Sequence, residues 1–389
     1  MTEPEINPVA GFQLTNLLLL HLLPGVGKRR LFELLGQAPF LLSEPVDRNY
    51  WLYVEKELRC PVGGKDQASL QHRSDRVVER GQAGEYQLLH WFSPAYPALL
   101  RQIFDPPLVL FLKGEDALLS GDCLAVVGAR RASDYGVAVA QEFSARLAEA
   151  GLVIVSGLAQ GIDSSAHVGA LKSGGRTLAV LGTGIDVVYP KQARGLYGRL
   201  CREGGVVTEF FPGTYPSPQN FPVRNRVISG LSLGTLIVEA TQRSGSLITA
   251  RLALEQGREL FAIPGPVHSP LSVGPNYLIQ QGAKLVQVWQ DVAEELPVEV
   301  RRRLNVPDNP ASREPSLEKG LRPEARNTCL TSDEEKVYNC LLLERKVHLD
   351  ALLEETGLKP GRLGNVLLQL QFRDLVQELP GHFFLKTVR

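Results

Sequence analysis

Three arginines and a phenylalanine make up the most reactive constellation in this 389-residue chain. Arg130 stands directly after the apolar run Leu124 to Val127, and the cluster Phe221-Pro-Val-Arg-Asn-Arg226 places Arg224 and Arg226 on either side of Asn225 at the start of a helical stretch. A guanidinium fork meets a phosphate with two hydrogen bonds. An aromatic face such as Phe221 stacks a nucleobase for about 1–3 kcal/mol. Together they read as a phosphate or nucleic-acid site. The competing readings are plain: a lone arginine is ordinarily a solvated surface group, and Phe221 suits a core position equally well.

The turns around them supply anion donors. Ser156, Gly157, Gly161 and Ser164 surround one predicted helix start and Ser244-Gly245-Ser246 another, where free N–H groups and the helix dipole favour a phosphate. Asp163 in the first turn is expected to cap that helix or orient a neighbour. His167 follows it at i, i+4, but no nucleophile sits in a Gly-x-Ser-x-Gly elbow, so a structural hydrogen bond is the expectation there. Glu239 ends a predicted strand, a place where a catalytic carboxylate could sit. The first strand runs into Gly128-Ala-Arg130-Arg131-Ala-Ser133, which lacks the later glycines of a dinucleotide fingerprint, and no Walker A sequence occurs. No cofactor is therefore expected.

The elements that would hold these residues follow from the spacing of apolar runs. Strands are predicted at Leu124 to Val127, Leu152 to Val155, Thr177 to Leu181, Val206 to Glu209, Thr235 to Glu239, Glu259 to Ile263 and Lys284 to Trp289. Helical patterns lie between most of them, at Gly136 to Ala150, Ser165 to Ser173, Ala193 to Glu203, Gly245 to Gln256 and Asn276 to Gly282. That alternation predicts an α/β fold, a parallel sheet covered on both faces, whose ligands gather at the carboxyl edge of the strands. Before it, residues 8–81 form a leucine-rich helical domain. Its turn Leu23-Pro-Gly-Val-Gly27 followed by Lys28-Arg29-Arg30 has the pattern of a helix-hairpin-helix, or of a tight turn in a small helical domain. The core is assigned to 82–296, and 297–328 reads as a flexible linker. Residues 329–389, with three helical patterns and a Pro380-Gly381 hairpin, read as a winged-helix domain.

Formal net charge is zero, which argues against a chain coated in positive charge. Residues 128–251 nevertheless hold thirteen Lys and Arg against eight Asp and Glu, a local surplus of five concentrated near the turns. Five cysteines without C-x-x-C spacing suggest neither a disulfide framework nor a zinc site. The longest apolar run, Leu17 to Leu23, is too short to span a bilayer, and the acidic Thr2-Glu-Pro-Glu5 is unlike a signal peptide, so a cytoplasmic protein without membrane insertion is expected.

Longer motifs complete the reading. Val126-Val-Gly-Ala-Arg130, Ser156-Gly-Leu-Ala-Gln-Gly-Ile-Asp163 with Ala166-His167, Gly182-Thr-Gly-Ile-Asp186 with Tyr189-Pro190, Asn220-Phe-Pro-Val-Arg-Asn-Arg-Val-Ile-Ser-Gly-Leu-Ser232, Ser244-Gly-Ser-Leu-Ile-Thr-Ala250 and Gly274-Pro-Asn276 occur in one order and spacing. In these the chain resembles the DNA-processing protein A (DprA/Smf) family. The resemblance implies an extended Rossmann-like core between an N-terminal sterile-alpha-motif-like helical domain and a C-terminal winged helix. It also implies a non-catalytic role: homodimers that bind and protect incoming single-stranded DNA and load RecA recombinase during natural transformation. By resemblance, Arg130, Phe221 and Arg224-Asn225-Arg226 belong to the strand-binding pocket. Family members often carry a lysine just before the phenylalanine. Here Ser217-Pro-Gln-Asn220 has none, which shifts weight to the arginines or to Lys191. The alternative is a nucleotide phosphoribohydrolase of the lysine-decarboxylase-like family. Its turn would correspond to Ser229-Gly-Leu-Ser-Leu-Gly-Thr235, but Glu239 falls one residue too far along, a displacement that catalysis tolerates poorly.

Overall fold

A computed structural model describes residues 11–59, 61–305, 332–341, 347–372, 375–379 and 381–386. They form two compact units, divided between Asn309 and Pro310. In the first, nine strands make one sheet: β1 (Gln87–His90), β2 (Val109–Gly114), β3 (Cys123–Val127), β4 (Val153–Ser156), β5 (Thr177–Val180), β6 (Gly205–Thr208), β7 (Gly234–Ile237), β8 (Glu259–Ala262) and β9 (Lys284–Leu285). Their order is β1-β2-β6-β5-β4-β3-β7-β8-β9. From β6 to β9 every pairing is parallel, while β2 runs antiparallel to both β1 and β6. The chain steps outward from β3 to β6, then returns to lay β7 on the other side of β3. Strand order thus reverses between β3 and β7, the place where an open α/β sheet leaves a crevice at its carboxyl edge.

Burial explains why the strands read as apolar runs. All five residues of β3 are buried, and they alternate between two cores. Leu124 and Val126 join Ile154, Leu236 and Phe261 beneath the helices Asp134–Glu149 and Ile162–Lys172. Ala125 and Val127 join Val155, Val180 and Ile237 beneath the helices Asn220–Leu231 and Gly245–Glu255. The first two helices touch backbone to backbone at Gly169, where a Cβ would lie 2.7 Å from the Cα of Gln141.

Four N-terminal helices, Leu14–His21, Lys28–Gln37, Arg48–Leu58 and Gly64–Gln82, bury Leu17 to Leu20 completely and pack with Phe111 and Val206 against the β2–β6 side of the sheet. The second unit holds the helices Ser332–Cys340, Leu349–Thr356 and Pro360–Phe372. Its three-stranded sheet is made of β10 (Val347–His348), β11 (Val376–Leu379) and β12 (Phe383–Lys386), around its own core of Leu352, Leu363, Leu370 and Phe384.

Three expectations need correction. The strand predicted from Lys284 to Trp289 ends at Leu285, because Trp289 opens a helix running to Glu295 whose Asp291 accepts from the Gln287 and Val288 N–H groups. The linker predicted from residue 297 begins as packed structure: Val298–Arg301 is helical, Val300 and Leu304 are buried, the Asn305 N–H donates to Ala150 and Arg303 pairs with Asp122. Residues 306–328 of that linker lie outside the described residues. Third, apolar spacing assigns neither β1 nor β2. β1 is four residues long, and β2 is buried over Val109 to Leu112 and so shows no alternation.

Candidate nucleic-acid site

The reversal between β3 and β7 opens a crevice of about 690 Å³. Its walls come from the turn after β3 (Val127 to Arg131), the turn after β7 (Thr241 to Ser246), the segment Pro216 to Pro218 and the first two turns of the helix Asn220–Leu231. Arg130, Phe221, Arg224, Asn225, Ser244, Gly245 and Ser246 all line it. Ser156, Gly157, Gly161, Lys191 and Arg226 do not.

Phe221 is half-buried at the crevice wall. Its ring lies against Gly182, where a Cβ would come within 2.9 Å. The Arg130 guanidinium carbon stands 5.3 Å from the ring centroid and the Tyr189 ring 5.5 Å away at 38°. Such a cation–π contact adds about 0.5–1 kcal/mol at an exposed site and holds both groups in place. Arg130 itself is exposed and has no ion-pair partner among the described residues.

Arg224 has a different role. Only 4 % exposed, it donates from Nη1 to the Gly157 carbonyl at 2.7 Å and to the Val180 carbonyl, and from Nε to Asn225 Oδ1 at 3.3 Å. It braces the ends of β4 and β5. Burial draws its guanidinium down to about 10, against the pull of Asp163 and helped by the push of Arg130. Asp163 is buried and pushed up by desolvation, opposed by Arg224 and by hydrogen bonds from the Ala159, Gly128 and Gly157 backbones. This carboxylate ties two turns together, in keeping with its expected orienting role.

The expectation that Arg224 and Arg226 aim at one crevice is corrected by helix geometry. Two residues apart on a helix, their side chains diverge by about 200°. Arg226 turns away to the end of β6, where it is 8 % exposed, pairs with Glu209 at 2.5 Å and with Asp105 at 3.3 Å, and donates to the Asp105 carbonyl. Glu209 also pairs with Lys28, so the cation after the Leu23–Gly27 turn is used inside the protein.

The small turn residues divide likewise. Ser156 is buried and donates to the Val126 carbonyl at 2.6 Å, the Gly157 carbonyl accepts from Arg224, and Gly161 adopts φ +84° where a Cβ would meet the Arg130 carbonyl at 2.7 Å. These serve the backbone. Ser244 caps the helix Gly245–Glu255, accepting from the Ser246 N–H at 3.4 Å, and Asn225 donates to the Gly245 carbonyl at 3.4 Å. Lys191 is exposed two residues beyond Tyr189. Among the lining residues that sequence reasoning does not assign to the site are the cations Arg131 and Arg243 and the aromatic Tyr189. Arg131 and Arg243 are exposed, without ion pairs among the described residues. The rule that singles out Arg130, a cation just past a strand end, could have found both.

Two groups that could do chemistry, Glu239 and His167, are engaged elsewhere. The Glu239 carboxylate is 5 % exposed and accepts from Ser133 N at 2.9 Å and Ser133 Oγ at 2.5 Å, locking the start of the helix Asp134–Glu149. It does not line the crevice. His167 is fully buried, with Nδ1 2.7 Å from Thr177 Oγ1 rather than paired to Asp163. Thr177 donates onward to the Ile154 carbonyl, so Nδ1 carries the proton. Burial lowers its pKa to about 3. No helix among the described residues is long and apolar enough to cross a membrane.

Residues 87–297 match the family described as DNA recombination-mediator protein A, and residues 322–382 match the DprA winged helix domain. The chain is 44 % identical over 236 residues to DNA processing protein DprA of Streptococcus pneumoniae, covering 60 % of this chain and 83 % of that one. It is 45 % identical over 206 residues to DNA processing protein DprA of Bacillus subtilis, covering 53 % and 69 %. The X-ray structure of DNA processing protein A from Streptococcus pneumoniae superposes with a TM-score of 0.63 at 36 % identity, covering 73 % of this chain and 98 % of that one. With the first match spanning more than half its length, the chain belongs to the DNA recombination-mediator protein A family, the DprA/Smf proteins.

Proposed function

We propose that this protein holds single-stranded DNA in the β3–β7 crevice without cutting it, in the cytoplasm, and passes it as a homodimer to RecA recombinase during natural transformation. One observation carries the binding reading: Phe221, gripped between Arg130 and Tyr189 at a switch-point crevice, stands among the ion-pair-free cations Arg130, Arg131 and Arg243. An aromatic face among unpaired arginines suits a base and its phosphates. Duplex DNA, whose bases are stacked on each other, cannot offer that face. The absence of catalysis is supported by Glu239 and His167 being committed to structural hydrogen bonds. Delivery to RecA and homodimerisation rest on family membership, and two crevices on one dimer would raise avidity.

The test is fluorescence anisotropy with oligo-dT across a salt series. Arg130→Ala and Arg243→Ala should each weaken binding, and each should lower the salt slope by about 0.7, the share of one phosphate no longer neutralised, at unchanged melting temperature. Arg224→Ala should act through folding instead. It removes the shared donor to the Gly157 and Val180 carbonyls at the ends of β4 and β5, so this variant should show a clear fall in melting temperature. If the Arg130→Ala/Arg243→Ala double variant binds oligo-dT like the parent, the crevice is not the site.

A further inference from the structure

We propose a second strand-contact patch at the same sheet edge, formed by Phe104, Arg29 and Arg30, that takes single-stranded DNA leaving the crevice. The inference rests on the crevice reading and extends it. Phe104 is 89 % exposed, the most exposed large apolar side chain among the described residues, and the Arg29 guanidinium carbon stands 5.9 Å from its ring centroid. An isolated exposed phenylalanine needs no explanation. One backed by Arg29, with the exposed Arg30 next to that arginine in the chain, repeats the Arg130–Phe221 pairing of the crevice.

Topology puts the two pairs on one edge. Glu209 follows the carboxyl end of β6. Because β2 runs antiparallel to β6, the chain entering β2, which includes Phe104 and Asp105, emerges at that same end. Phe221 lies over Gly182 just past β5, and the chain that carries Phe104 enters the sheet two strands away at β2, so the two rings stand at separate places along one edge. The ground between is shaped by the helix Asn220–Leu231, whose Pro222 and Val223 are exposed. Arg226, one turn after Val223, is pinned to Asp105 and Glu209, and Glu209 to Lys28. These pairs, the Arg226–Glu209 pair buried among them, tie the Phe104 loop, the start of the helix bearing Arg29 and the helix bearing Phe221 to one frame.

Charge favours an anionic partner. The acidic groups here are already matched: Asp105 and Glu209 by Arg226 and Lys28, and Glu33 by Arg29 at 3.3 Å in an exposed pair that phosphate can displace. Arg30 has no ion-pair partner among the described residues. Exposed ion pairs of the Arg29–Glu33 type contribute little to folding, so Arg29 is available.

The experiment compares short and long oligo-dT, six and twenty nucleotides, with the full chain carrying Phe104→Ala or Arg29→Ala/Arg30→Ala. Removing one stacking face should weaken binding of the long strand about tenfold, and removing two arginines should lower its salt slope by about 1.4. Binding of the short strand should stay unchanged. Arg29→Lys/Arg30→Lys should recover the slope. Unchanged binding of both lengths, or an equal loss on both, overturns the patch; the first outcome would leave Phe104 facing another class of partner. A crevice variant, Arg130→Ala, should weaken both lengths. If the parent protein binds neither, the crevice reading itself fails, an outcome distinct from loss of the patch alone.

Discussion

Two buried histidines that do not line the crevice make the fold sensitive to acid. His21 packs against Phe211, and burial, with the nearby charge of Lys28, lowers its pKa to about 4; burial lowers that of His167 to about 3. In the unfolded chain both titrate near the ordinary histidine value of 6.5. Below that pH the unfolded state binds protons that the native state refuses, so stability is full above it and falls as the pH drops toward the folded values. Between pH 7.5 and 5.5 each histidine should remove about 1.4 kcal/mol of unfolding free energy. Urea melts at the two pH values would measure it. In a His21→Gln/His167→Gln protein the difference should shrink by roughly the sum of the two, whatever the variant's absolute stability. An undiminished difference would mean that other groups carry the acid response.

At the scale of elements, the turn after β7 shows what a strand-end carboxylate does in this fold. Glu239 accepts both donors of Ser133, which in turn caps the helix Asp134–Glu149 by accepting from the Gly136 N–H at 3.0 Å. Ser133→Ala should therefore lower stability by about 1 kcal/mol and leave oligo-dT affinity unchanged, since neither residue lines the crevice. A loss of affinity at unchanged melting temperature would place the pair in the site after all. This turn also shows where sequence reading stops. The strands β3 to β8 are legible because each is a short, mostly apolar run, and parallel strands buried on both faces must look that way. Strand ends then locate Arg130 and the 244–246 turn. What spacing cannot convey is direction. Arg224 and Arg226 look alike in sequence, yet the helix sends one under the strand ends and the other to Glu209, whose position beside Arg226 depends on β6 pairing with a strand, β2, that apolar spacing does not reveal.

For the whole molecule, the end of the first unit decides how the crevice can be studied alone. The chain does not leave the sheet domain at Pro297: it adds the helix Val298–Arg301, buries Val300 and Leu304 in the same core as Leu147 and Leu152, and fastens Arg303 to Asp122 at 2.8 Å. The second unit has a separate core, and the crevice-lining residues all belong to the first. A chain ending at Asn305 should keep oligo-dT affinity within about twofold when the crevice alone holds the strand; a larger loss would assign part of the grip to the winged helix. A chain ending at Val298 lacks two buried side chains worth about 1.5–3 kcal/mol each and should melt roughly 5–15 °C lower than the Asn305 version. Equal melting of the two would mean that residues 299–305 only rest on the core. A lower melting temperature with intact oligo-dT affinity below the transition would separate the folding role of this segment from the binding role of the crevice.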